Sequence, residues 1–104
     1  MFSKTPVKIW FSSQVAGYIK EKIWHVGQQL EPQADDSLIF EAEVAGTEEV
    51  KYWVLGWGPN ACVLEPAGLK EKIRTQVAAT LALYEKGSKD RNEVSESGNL
   101  IIIR

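Results

Sequence analysis

Apolar and polar positions alternate twice along the chain with the period of a half-buried strand. Val7, Ile9 and Phe11 alternate with Lys8 and Trp10, and Leu38, Phe40, Ala42 and Val44 alternate with Ile39, Glu41 and Glu43. Successive side chains of a strand point to opposite faces, so each run predicts one apolar face and one mixed face. Elsewhere the period lengthens to that of a helix. Val15, Tyr18 and Ile19 predict a short helix over residues 14–22, with Ser12 or Ser13 as its cap and Gly17 as a weakening interior residue. Val50, Trp53, Val54 and Trp57 fall at i, i+3, i+4 and i+7, one face of a second helix. Thr47 is placed to cap that helix, Glu48 and Glu49 put negative charge at its positive end, and Gly56, Gly58 and Pro59 end it.

Three further segments complete the reading. Trp24, Val26 and Leu30 share a period of two, which predicts a strand over residues 24–31, joined to the next strand by the turn-forming run from Pro32 to Ser37. Ala61 to Leu64 reads as a short buried strand. Glu65 and Pro66 then open a helix expected from Ala67 to Glu85, with Leu69, Ile73, Val77, Leu81 and Tyr84 as a slowly drifting stripe. Residues 86–104 turn polar and poor in large apolar side chains, the composition of a flexible tail, and close on Leu100, Ile101, Ile102 and Ile103. The domain is therefore expected over residues 6–85. The order strand, helix, strand, strand, helix, strand, helix predicts an α+β fold: a ferredoxin-like βαββαβ antiparallel four-stranded sheet plus an extra C-terminal helix. Right-handed crossovers would place the first two helices on one sheet face and leave the other open unless a partner or the last helix covers it.

Composition narrows the function by exclusion. The 104 residues suit one domain, and 44% hydrophobic with 25% charged residues is ordinary for a globular chain. A net charge of −2 offers no basic footprint for nucleic acid, so direct DNA binding is not expected. No apolar run approaches the roughly 20 residues of a membrane span and no signal peptide opens the chain, which makes the cytoplasm the expected compartment. Cys62 is the single cysteine and reads as a small buried hydrophobe; His25 is the single histidine, too few for a histidine-based metal site.

No constellation for catalysis emerges. Glu41 and Glu43 share a strand face and read as its solvated side. Ser12 and Ser13 lack a nucleophile turn and a base, and the glycines at 56 and 58 are not followed by a phosphate-cradling pattern. RNA binding on an open sheet is disfavoured by those two glutamates, which would repel phosphates. No enzyme activity, cofactor or metal is expected. His25 beside Trp24, with Gln28 near, has two readings: a structural surface histidine, or a pH-sensitive hydrogen-bonding group in a ligand surface.

The most informative stretches carry a family resemblance. Val7, Ile9 and Phe11, the Trp24-His25 pair followed by Gln28, the run Val54-Leu-Gly-Trp-Gly58 and Val63 to Pro66 together resemble the C-terminal extension (WCX) domain that follows the WYL domain in bacterial transcriptional regulators. The resemblance spans about residues 6–84. It implies a ferredoxin-like accessory module that assists effector sensing and self-association, with a WYL domain and a winged helix-turn-helix as partners in a longer protein. Neither of those is present here, so DNA binding and the WYL ligand pocket do not carry over. The chain also has Val26-Gly27 where the family pattern often has proline after the Trp-His pair.

Two surfaces follow as expectations. Trp24, His25 and Gln28 form a candidate effector or interdomain surface. Trp10 and Ile39, out of phase with the core, form with Leu100, Ile101, Ile102 and Ile103 a candidate surface for a homodimer, the alternative being that the final helix covers Trp10 within one chain. The rival function is a stand-alone small-molecule binding domain that uses the open sheet face.

Overall fold

A computed structural model describes residues 4–86. The elements run β1 (Thr5–Phe11), α1 (Ser13–Lys20), β2 (Gln29–Pro32), β3 (Leu38–Val44), α2 (Glu48–Gly56), a 3-10 turn (Gly58–Asn60), β4 (Ala61–Glu65) and α3 (Ala67–Lys86). The four strands form one antiparallel sheet in the order β2-β3-β1-β4. An α+β fold is therefore what the alternating and helical periods produce. Among the described residues no helix is long and apolar enough to cross a membrane.

β1 and β3 pair along their full lengths, from Thr5 opposite Val44 to Phe11 opposite Leu38. That register brings the apolar phase of both strands to one face. Val7, Ile9, Phe11, Leu38, Phe40, Ala42 and Val44 are all buried there, with Val63 of β4. α1 contributes Val15, Ala16 and Ile19, α2 contributes Val54, and the start of α3 contributes Leu69 to the same cluster. Complete burial of a side chain such as Phe11, Ile9, Ile19 or Leu38 contributes roughly 1.5–3 kcal/mol each, so this one face carries the main driving force for folding.

The buried face of α2 follows the predicted spacing, whereas in α1 Val15 and Ile19 are buried with Ala16 and Tyr18 turns out to solvent; the helix ends also differ from expectation. Ser12 caps α1: its Oγ accepts the Gln14 N–H at 3.2 Å and donates to Asn60 Oδ1 at 2.8 Å, tying the helix start to the turn before β4. α1 ends at Lys20 rather than Lys22. Thr47, expected to cap α2, makes no side-chain capping bond; with φ −101° and ψ −2° its backbone is already near helical, which is not the extended geometry a capping side chain uses. Val50, Trp53 and Trp57 are partly buried and pack on the core around buried Val54, as their spacing predicts.

The second strand is shorter than its period-two pattern suggests. Only Gln29–Pro32 pairs with β3, and Trp24 to Gly27 form a turn. The reason is local: the Gln28 side-chain carbonyl accepts the backbone N–H groups of both Trp24 (2.6 Å) and His25 (3.1 Å), so these donors are satisfied without a neighbouring strand. Gly27 adopts φ +85°, a conformation that closes the turn and that side-chain-bearing residues rarely take. β4 also differs. Val63 is buried and Ala61 and Leu64 are half-buried, but Cys62 is exposed, because strand alternation turns it away from the phase that faces the core.

α3 starts at Ala67, just after Pro66, whose carbonyl accepts the Lys70 N–H at 3.0 Å. The chain divides into two compact units at the Ile73–Arg74 step of this helix. In the first, Leu69 is buried and Ile73 half-buried. In the second, Val77, Leu81 and Tyr84 of the expected stripe are exposed. The tail and the apolar run from Leu100 to Ile103 lie outside the described residues.

A candidate aromatic groove and an open sheet face

Five aromatic side chains gather on the helix-bearing face. Trp53 lies 5.5 Å from Phe11, 5.3 Å from Phe40 and 5.3 Å from Trp24, centroid to centroid; Trp57 lies 6.1 Å from Phe11 and 6.2 Å from Trp24. Most of these pairs are edge-on, the arrangement that sets the positive edge of one ring against the negative face of another. Trp24 reaches this cluster from the α1–β2 loop, and its indole N–H donates to the Ile19 carbonyl at 3.0 Å, so the ring is held at the end of α1. Lys22 Nζ stands 4.7 Å above the Trp24 ring, a cation–π contact on its solvent side.

A groove of about 340 Å³ opens beside this cluster. Val7, Ile9 and Phe40 come from the sheet, Val44 to Gly46 from the β3–α2 junction, Glu49, Val50 and Trp53 from α2, and Trp24 and His25 from the loop. Ligand sites are typically concave, mainly apolar and lined by a few placed polar groups, and this groove has that make-up. The imidazole Nδ1 of His25 lies 2.8 Å from the Val26 carbonyl oxygen. A carbonyl can only accept, so Nδ1 carries the proton and Nε2 is the ring nitrogen left for another partner.

The structure thus brings Trp24 and His25 together at one groove and separates Gln28 from them in role. Gln28 does not line the groove. Its carbonyl holds Trp24 and His25 by their backbone, and its amide donates to the Lys22 carbonyl at 3.2 Å. It is a positioning residue. Glu49 and Val50 carry no site signal in the sequence, where one reads as a helix-dipole charge and the other as core. Only the approach of the α1–β2 loop to the start of α2 places them at a shared cavity.

At the first turn of α2 the charges sort themselves. Lys51 Nζ lies 3.0 Å from Glu48, and this contact holds the Glu48 carboxyl below its ordinary pKa and raises that of Lys51, first through the hydrogen bond itself. Glu49 makes no ion pair among the described residues.

The opposite sheet face is laid out in rows. Strand register sets Glu31 beside Ile39, Ile39 beside Trp10 and Trp10 beside Cys62, across all four strands. Trp10 and Ile39 are half-buried. The next row is charged: Gln29 pairs with Glu41, Glu41 with Lys8 and Lys8 with Glu65, and Lys8 Nζ lies 3.7 Å from the Glu41 carboxylate. Glu43 is exposed on this face as well. The expected self-association residues Trp10 and Ile39 are therefore neighbours, while Leu100 to Ile103 lie outside the described residues. Among the described residues no three or more His, Cys, Asp or Glu side chains gather as metal ligands.

The family model for the WCX domain matches residues 3–81, which includes every strand, both core helices and most of α3. The chain belongs to the WCX domain family. No curated protein matches it. The matched span includes the residues of both surfaces described above.

Proposed function

We propose that this WCX domain is a non-catalytic regulatory module of a WYL-type bacterial transcriptional regulator, acting through self-association and effector sensing. WYL and winged helix-turn-helix domains are its partners in such a regulator, and it works in the cytoplasm without touching DNA itself. The strand order, read from the other edge as β4-β1-β3-β2 with antiparallel pairing, supports taking the fold as ferredoxin-like. The observation that carries the association half is the pairing of Trp10 with Ile39 on the face opposite the core. Two large apolar side chains side by side on a sheet face are usually matched by a covering surface, and a second copy of the same face supplies one. The sensing half rests on the groove that holds Trp24 and His25.

Light scattering on three samples tests the association: wild type, Trp10→Ala, and a chain ending at Lys86. A dimer lost in Trp10→Ala but kept in the shortened chain is the expected result. A monomer at high micromolar concentration in all three defeats it, and loss only on shortening moves the contact to residues 87–104.

A further inference from the structure

The groove can be described more narrowly than as a site for an effector. Its sheet floor and its two tryptophan walls are carbon surfaces suited to a flat or compact apolar body. Among its lining side chains only Glu49 is formally charged at neutral pH, with His25 as the one other titratable group. The positive end of α2 amounts to about half a charge and is shared with Glu48 and Glu49. Lys51 lies 3.0 Å from Glu48 and Lys72 also acts on that carboxyl, so these two cations are engaged with Glu48, and Glu49 is the carboxylate without an ion pair among the described residues. No lysine or arginine lines the groove; the cation the geometry shows at its walls is Lys22, whose Nζ stands 4.7 Å from the Trp24 ring centroid without joining the lining.

We infer that this groove takes a small organic cation, an apolar or aromatic body carrying one ammonium group, with the ring against Trp24 and Trp53 and the charge toward Glu49. This deepens the sensing role proposed above and rests on it. An anion of the same shape meets repulsion at Glu49, and a neutral analogue gains only the apolar contribution. The ammonium gains a charge-assisted hydrogen bond to Glu49, weakened by the solvent that reaches that side chain, while the ring takes the apolar contacts of the two indoles.

Three probes with the same ring test this on the full chain: 2-phenylethylamine, 2-phenylethanol and phenylacetate. NMR titration at neutral pH follows the indole N–H signals, with Trp10 on the opposite face as the internal control. Saturable shifts are expected at Trp24 and Trp53 and not at Trp10. The amine should bind roughly tenfold more tightly than the alcohol, a difference set by one partly solvated charge contact, with phenylacetate weakest. Glu49→Gln should collapse the gap between amine and alcohol. Equal affinity for the three probes, or an amine preference that survives Glu49→Gln, overturns the charge assignment while leaving a groove that binds small molecules. Shifts centred on Trp10, or no saturable shift with any probe, overturn the inference and the groove's sensing role together. The association test above is independent of both.

Discussion

Trp10 and Phe11 are consecutive residues of one strand, yet they live in different environments. Phe11 is fully buried and packs edge-on against Phe40, Trp53 and Trp57. Trp10 turns to the other face, where its strand neighbours are Ile39 and Cys62 and the next row is charged. The same alternation that gives the sheet one covered face leaves the second with two large apolar residues among glutamates and a lysine. One face of this sheet carries the core and the other mixes two large apolar residues with charges, and side-chain size alone does not say which is which. The positions of α1 and α2 do.

The largest effect expected from this contrast is on stability. Phe11→Ala should cost about 3–5 kcal/mol, since it empties a site bordered by three other aromatic rings, and urea denaturation measures it. A loss near 1 kcal/mol would mean that the cluster collapses into the space and is less closely packed than its centroid distances imply.

Gln28→Ala comes next, with about 1–2 kcal/mol expected, because two backbone donors and one carbonyl lose their side-chain partner. Its sharper signature is local. Amide exchange at Trp24 and His25 should accelerate more than exchange in β1. Equal acceleration throughout would mean that the loop unfolds only with the whole domain.

Trp10→Ala should cost about 1 kcal/mol or less in a monomer at low concentration, since the residue is only half-buried and faces away from the core. A cost matching that of Phe11→Ala would erase the distinction between the two faces.

The smallest effect concerns acid. Asp35, in the β2–β3 turn, accepts the Ser37 hydroxyl at 2.6 Å and the Ser37 N–H at 3.0 Å, and these bonds hold its carboxyl below the ordinary value of 3.8. A carboxyl whose pKa falls on folding contributes stability that is complete above its unfolded pKa and is lost as pH drops through the folded one. Asp35→Asn should therefore flatten the loss of stability that begins near pH 3.8, with little change in the midpoint of unfolding between neutral and mildly acid pH relative to its own plateau. An unchanged acid limb in Asp35→Asn would show that the turn is already open in acid.

Local periodicity by itself determined much of this protein. The alternation in residues 7–11 and 38–44 is enough to place β1 and β3 and to sort their residues between two faces. The i, i+3, i+4, i+7 spacing from Val50 to Trp57 is enough to place the buried side of α2, and the Ser12-Ser13 pair marks the start of α1, with the structure choosing Ser12 as the cap. These features depend on neighbours a few residues away. Where a remote or irregular contact decides the outcome, the pattern fails. Trp24 to Gly27 has a strand-like period, but Gln28 folds back on its backbone and, among the described residues, no strand pairs with it. Cys62 reads as buried because its segment is apolar, whereas only the pairing of β4 with β1 shows which way it turns. Trp24 and His25 could be picked out as surface candidates, but Glu49 joins them only because the α1–β2 loop meets the start of α2. The order β2-β3-β1-β4 and the choice of covered face belong to the tertiary structure for the same reason: they rest on contacts between residues far apart in the chain, which no local period encodes.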